Sequence, residues 1–194
     1  TKNNEGFATA GGVQYVACAG NFKDAGLEYT GALKVLQMIF SYEYLWIQLR
    51  VKGGAYGCMC SLSDQGDSMF VTYRDPNLAE SYKVYDEAAD YVANFDADDR
   101  DMKKYIIGTI SNKDVPRTPQ MQGSISKTAY FSNVTEDMLQ KERNQILGAQ
   151  KEDIQKLAAL VEAVLSDDQI CVVGSETAIE KAEDVFMEVK PLIG

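Results

Sequence analysis

The sequence contains no histidine among its 194 residues. That absence removes Ser-His-Asp and Cys-His catalysis together with every His-based zinc site. Any chemistry must use tyrosine, lysine, arginine, cysteine or carboxylates, or be completed by another segment. Cysteine is sparse: Cys18, Cys58, Cys60 and Cys171 are scattered, with no C-x-x-C pair. A chain this large and this poor in cysteine is not a disulfide scaffold. All four fall in strand-like segments and read as small buried residues. Cys58 and Cys60 would share one strand face, which leaves a Cys-rich metal site as a minor alternative. A cysteine enzyme there would lack a His base. Long apolar runs are missing too: no stretch approaches the roughly 20 residues of a membrane span. The opening, Thr1 to Gly6, is polar, without an initiator Met or an export signal. The expectation is one domain over residues 1–194, a fragment of a longer chain. Its expected location is a bacterial cytoplasm, with an organelle matrix as the alternative. Cations are outnumbered, 19 Lys and Arg against 29 Asp and Glu, for a net charge of -10. Phosphate backbones repel such a surface, so nucleic acid is not an expected partner. Basic peptides would be attracted, or the charge serves solubility alone.

What is present alternates between β-type and helical patterns. Val13 to Ala19 (VQYVACA) predicts a strand. Thr30 can cap a helix running to about Gln48, apolar over most of its circumference and so buried on more than one side. Gly53-Gly54 ends it. Tyr56 to Leu62 and Ser68 to Arg74 predict a hairpin around the turn residues 63–67. After Pro76, with Asp75 or Asn77 as cap, helices are expected from Leu78 to about Asn94 and from Asp96 to Thr109. Residues 120–134 are weakly patterned and partly helical. Thr135 starts another helix, and Gly148 divides it from one whose Ile154, Leu157, Val161 and Val164 share a face. Gln169 to Val173 predicts a buried strand, and Glu176 to about Val189 a last helix. Four strands and many helices indicate an α+β fold, a mixed or antiparallel sheet covered by helices on one face. The strands from Val13 and Gln169 should join the hairpin in one sheet.

The segment from Leu49 to Cys60, LRVKGGAYGCMC, carries the most information. It is a helix C-terminus, a glycine turn and a strand start. Gly53 and Gly54 allow backbone conformations closed to other residues, and Gly57 permits close approach. Arg50 and Tyr56, separated by that turn, can converge on one exposed spot, offering a fixed cation, planar donors and a phenolic O–H. The same residues have a local account: Arg50 favouring a helix C-terminus, the glycines as a helix stop, and Tyr56 as a half-buried strand aromatic.

Arg50 through Gly57 resembles the C-terminal-half motif of the pitrilysin/insulinase peptidases, the inverted zincins. Tyr73-Arg74-Asp75-Pro76-Asn77, closing the hairpin, resembles the presequence-protease branch. The resemblance covers nearly the whole chain, best from Val13 to Asn77. It implies a half-domain of the processing-peptidase type that closes with an N-terminal half of the same polypeptide around a peptide substrate. Zinc is then the cofactor of the full-length zinc metalloendopeptidase, held by an H-x-x-E-H in the N-terminal half. This chain would hold no metal and would be inactive alone. By the match, Tyr56 is the catalytic residue, donating to the scissile carbonyl as it becomes an oxyanion. Arg50, with Tyr56, binds substrate by holding a backbone carbonyl. The alternative is a non-catalytic structural or interaction subunit that keeps the fold. An upstream H-x-x-E-H in the parent reading frame separates the two. No membrane partner is expected.

Overall fold

A computed structural model describes residues 3–192. Its centre is a six-stranded sheet, and apolar alternation decides how that sheet is covered. In β2 (Gln14–Asn21), Gln14, Val16 and Cys18 are buried, while Tyr15, between the first two, is exposed. In β4 (Asp67–Asp75), Ser68, Phe70 and Thr72 are buried and Met69 is exposed. In β5 (Gln169–Ser175), Ile170 and Val172 are buried and Cys171 is exposed. The pairing brings Val16, Thr72 and Val172 into one row, and Cys18, Phe70 and Ile170 into the next. A period of two thus gives one apolar face for helices and one open face.

The strand order is β3-β4-β2-β5-β1-β6, with β1 (Glu5–Thr9), β3 (Gly57–Leu62) and β6 (Glu188–Pro191) completing the set. The β3–β4 hairpin, the β2–β4 pair and the β2–β5 pair are antiparallel. β1 runs parallel to both β5 and β6. The expected mixed sheet, with the Val13 and Gln169 strands paired inside it, is therefore present.

The long helix starts as α1 (Ala32–Ile39) and continues through two π-helical stretches, Phe40–Tyr44 and Trp46–Lys52. It packs on the sheet through Leu33, Leu36 and Phe40, the last ring lying 5.6 Å from Phe70 at an edge-on angle. Of two further helices, α2 (Ala79–Asp86) packs on β2, while α3 (Ala88–Ala93) packs mainly against later helices. The hydroxyls of Tyr82 and Tyr85 in α2 donate to the Ala17 and Val16 carbonyls at 3.1 Å. Burial raises both phenol pKa values well above the ordinary range, which keeps them protonated donors. Next come α4 (Asp99–Lys113), α5 (Pro119–Phe131), α6 (Glu136–Leu147), α7 (Lys151–Gln155), α8 (Ala158–Ser166) and α9 (Glu176–Lys181). Val161 and Val164 of α8 lie fully buried in the same core.

Several boundaries differ from the sequence expectation. There are six strands among the described residues rather than four. The expected last helix ends at Lys181; a 3-10 turn, Glu183–Val185, follows, and the short edge β6 begins at Glu188. β1 was missed because it reads EGFAT, with Gly6 lying against Ile179 and Phe186, where a Cβ would already be within 3.1 Å. The helix expected from Leu78 to Asn94 breaks at Glu87, and the one around Ile154 breaks between α7 and α8. The Asp96 helix starts later, where Asp98 accepts from the Arg100 and Asp101 amides, and runs on to Lys113. At the start of the long helix the Thr30 hydroxyl accepts from the Ala32 amide at 3.5 Å, with Gly31 as the residue before the first helical turn, and the helix extends four residues past Gln48 to Lys52. The residue before α2 is Leu78, with no side-chain cap: the Asn77 side chain turns back to the Gly53 carbonyl, and Asp75 reaches forward to accept from the Ser81 hydroxyl.

Candidate functional site

Two sequence segments meet at the corner where the long helix ends and edge strand β3 begins. The helix stop comes first. The Gly53 amide donates to the Gln48 carbonyl at 3.0 Å, and Gly54 takes φ +82°, a region that favours glycine. The Ala55 amide then returns to the Leu49 carbonyl at 3.0 Å. This reversal delivers Tyr56 to the surface, 58% exposed.

The second segment, residues 73–77, clasps the first. Gly57 faces Tyr73 in the hairpin register, and a Cβ there would lie 2.1 Å from the Tyr73 ring. Glycine is therefore what lets that ring lie across the strand. The Tyr56 amide donates to the Arg74 carbonyl at 3.3 Å. The Asn77 side-chain amide donates to the Gly53 carbonyl at 2.6 Å. Asp75, fully buried, accepts from the Asn77 amide at 2.9 Å and the Ser81 hydroxyl at 2.7 Å, which fixes the start of α2. The Gln14 side chain donates to the Pro76 carbonyl at 3.2 Å, tying the turn to β2.

Within this frame Arg50 and Tyr56 come together, as the sequence expects. Arg50 Nη1 donates to the Tyr56 carbonyl at 2.6 Å. Its guanidinium lies 4.4 Å from the Trp46 ring centre and 5.7 Å from that of Tyr56. Trp46 lies four residues before Arg50 in the same helical stretch, a spacing that places the aromatic platform beneath the cation. The Tyr56 ring meets Tyr73 edge-on at 5.5 Å and Arg74 at 5.6 Å. It is held from three sides, while among the described residues its hydroxyl makes no hydrogen bond. Both side chains face solvent and neither is locked into the core. Chemically, the corner offers a fixed phenolic donor and planar cationic donors at an open surface.

Trp46, Tyr73 and Arg74 belong to this corner and were not singled out as site residues from sequence. For Tyr73 the signal was the second motif, which lies against the first; Trp46 carried no signal beyond its place four residues before Arg50, and Arg74, though inside the second motif, reads by alternation as a core-facing position. The cysteines lie elsewhere in function: Cys60 is buried, and burial pushes the Cys58 and Cys60 thiols up, away from nucleophilic thiolate. Among the described residues no three His, Cys, Asp or Glu side chains are grouped as a metal site requires.

Residues 4–176 match the family model described as the PreP C-terminal domain. The chain is 43% identical to Protein HypA of Clostridium perfringens over 99% of its own length and 20% of that protein's. It is 33% identical to the chloroplastic/mitochondrial Presequence protease 1 of Arabidopsis thaliana, over 96% of this chain and 18% of the relative. It thus spans about a fifth of the length of these relatives. The fold is similar to the peptidase M16 inactive domain from Pseudomonas fluorescens, with a TM-score of 0.64 at 16% identity, covering 98% of this chain and 45% of that one. With the two motifs clasped as described, the chain belongs to the presequence-protease C-terminal domain family of the pitrilysin-type metallopeptidases.

Proposed function

We propose that this chain is the substrate-gripping, transition-state-stabilising part of a zinc-dependent endopeptidase, working with an N-terminal half of the same polypeptide to degrade peptides in a closed chamber. The observation that carries the reading is the exposed, uncommitted Tyr56 hydroxyl on a ring fixed by Arg50, Tyr73 and Arg74. A donor that needs no reorganisation is what stabilises a developing oxyanion best. The residues of this chain do not fit zinc: there is no histidine, and the described acidic and thiol groups form no ligand cluster. The metal's chemistry therefore belongs to the other half.

On this chain, the peptide lies across the corner with its scissile carbonyl beside Tyr56. As that oxygen gains charge, the phenolic O–H shortens its hydrogen bond while the proton stays on the phenol. Arg50 keeps one N–H on the Tyr56 carbonyl and turns its remaining donors to a substrate backbone carbonyl, holding the peptide in register. The long-helix turn that stacks Trp46 under Arg50 spares the substrate the task of ordering that side chain. Among the described residues no helix is long and apolar enough to cross a membrane. A bacterial cytoplasm is the proposed location and an organelle matrix the alternative.

The test is steady-state kinetics of the complete enzyme with Arg50 replaced. Arg50→Ala should raise KM for a peptide substrate, with some loss in kcat because Tyr56 loses a support. Arg50→Lys should recover only part, since an ammonium lacks the planar fork. An Arg50→Ala enzyme with unaltered KM would remove Arg50 from the substrate-binding role.

A further inference from the structure

The pairing of β4 with β2 contains an irregularity that bears on the same corner. Val16 pairs with Thr72, yet Gln14, two residues earlier, pairs with Asp75 rather than with residue 74. Three steps along β4 thus match two along β2, the signature of a β-bulge. Arg74 sits in the bulge with φ +50°, a left-handed conformation rare for a non-glycine residue. The consequence is a change of face. Phe70 and Thr72 point into the core, and strict alternation would send position 74 after them. Instead Asp75 takes the buried place opposite Gln14, and Arg74 emerges into solvent beside Tyr56. Among the described residues, the Arg74 guanidinium makes no hydrogen bond and no ion pair; its recorded contact is the Tyr56 ring at 5.6 Å.

A strained backbone that turns an unpaired arginine out of the core and onto a substrate corner calls for a ligand. The local charge says which kind. Residues 44–63 contain Arg50 and Lys52 and no Asp or Glu. With Arg74, and with Asp75 as the one carboxylate of the corner, fully buried and committed to the Asn77 amide and the Ser81 hydroxyl, this makes a net cationic corner on a chain whose net charge is -10. Cationic groups of a peptide, which the chain as a whole attracts, are repelled here. Arg50 has already committed one N–H to the Tyr56 carbonyl and its face to Trp46. Arg74 has its full fork of donors left, the geometry suited to bidentate binding of a carboxylate.

We propose that Arg74 is a specificity-determining residue that binds a carboxylate of the peptide substrate, from an acidic side chain or from the peptide C-terminus, beside the carbonyl that faces Tyr56. The inference rests on the reading of the corner as the substrate site, and it adds a charge preference that Tyr56 and Arg50 alone do not give.

The bulge supplies an unusually clean variant. Glycine prefers the left-handed region, so Arg74→Gly removes the side chain while relaxing the backbone, and the folded enzyme should melt at the same temperature or higher. The experiment measures kcat/KM of the full-length enzyme on matched fluorogenic peptides. One pair carries Glu or Gln near the cleaved bond; a second carries a free or an amidated C-terminus. The wild type should favour the carboxylate member of at least one pair, and the pair affected identifies the source. Arg74→Gly should shrink that ratio roughly tenfold, mostly through KM, with Arg74→Lys intermediate. No ratio in the wild type, or an Arg74→Gly enzyme that keeps it or slows both members equally, would overturn the proposal. Tyr56→Phe measured on the same peptides keeps the two readings apart. Its kcat reports on the oxyanion role, whereas the charge ratio reports on Arg74 and should survive loss of the Tyr56 hydroxyl.

Discussion

Two regions of this chain are organised in opposite ways. At the corner formed by residues 46–57 and 73–77, nearly every group has a tertiary partner: Gly53 is tied to Asn77, Tyr56 to Arg74, Gly57 to Tyr73, and Pro76 to Gln14. In the arm formed by α5 and the start of α6, no side chain of α5 is buried, and Met121, Ile125, Tyr130, Phe131, Met138 and Leu139 are all exposed. Both helices of the arm begin with local signals: the Thr118 hydroxyl accepts from the Met121 amide at 3.3 Å, and that of Thr135 from the Met138 amide at 3.2 Å. Local capping is enough to specify that a helix forms. Holding a phenol and two guanidinium groups in one place takes contacts between segments that local signals do not provide.

Glycine substitutions test this contrast most sharply, because the same change should act in opposite directions. Gly57→Ala places a Cβ into the Tyr73 ring and should destabilise the chain by about 2–3 kcal/mol in chemical denaturation, with the corner displaced. Next in size is the anchor where the arm rejoins the body. There Glu142 accepts from Lys113 and from the Tyr29 hydroxyl, the latter at 2.6 Å. Burial raises its carboxyl pKa, but the bonds from Lys113 and Tyr29 outweigh burial and leave it below the ordinary carboxylate value. A lowered folded-state value means that this contribution is complete above about pH 4.5 and fades as pH falls through the lowered value. Glu142→Gln should cost about 2 kcal/mol at neutral pH and flatten the acid limb of the stability profile. An unchanged acid limb would show that Glu142 does not anchor the arm.

Smaller effects are expected within the arm. A Cβ added at Gly123, inside α5, meets nothing within 4 Å. Gly123→Ala should therefore stabilise the chain by about 1 kcal/mol, the helix-propensity difference alone. Smallest is Ile125→Ser, within about 0.5 kcal/mol of wild type, as for any solvated position. A large loss at Ile125 in thermal denaturation of this chain would mean that the arm packs more tightly than its exposure indicates.

The same contrast explains what the sequence reveals. β2, the hairpin, β5 and the long helix were legible because alternation, turn residues and apolar density are local properties. Trp46 keeps helical spacing with the buried residues of the long helix, yet within the π-helical stretch it is exposed beneath Arg50. β1 and β6 are short, contain a glycine or a proline, and take their places through non-local pairing, β1 on β5 and β6 on β1, so no local pattern reports them. Helix breaks at Glu87 and before Ala158 have no proline or glycine to mark them. At the corner, the Gly-Gly turn and Tyr56 were readable as a motif. Arg74 was not, because alternation assigns it to the core face, and only the register of β4 against β2 shows that it is turned outward.

The central claim is that Tyr56 supplies a preorganised donor to the reacting carbonyl, and Tyr56→Phe tests it most directly. The substitution removes one exposed hydroxyl and keeps the ring contacts to Tyr73 and Arg74, so the fold should be unaffected. Measured in the complete enzyme on a single peptide, kcat should fall by about 10²–10³ while KM changes little, as for loss of one oxyanion donor. A Tyr56→Phe enzyme with wild-type kcat would contradict the account and leave the corner with a structural role alone.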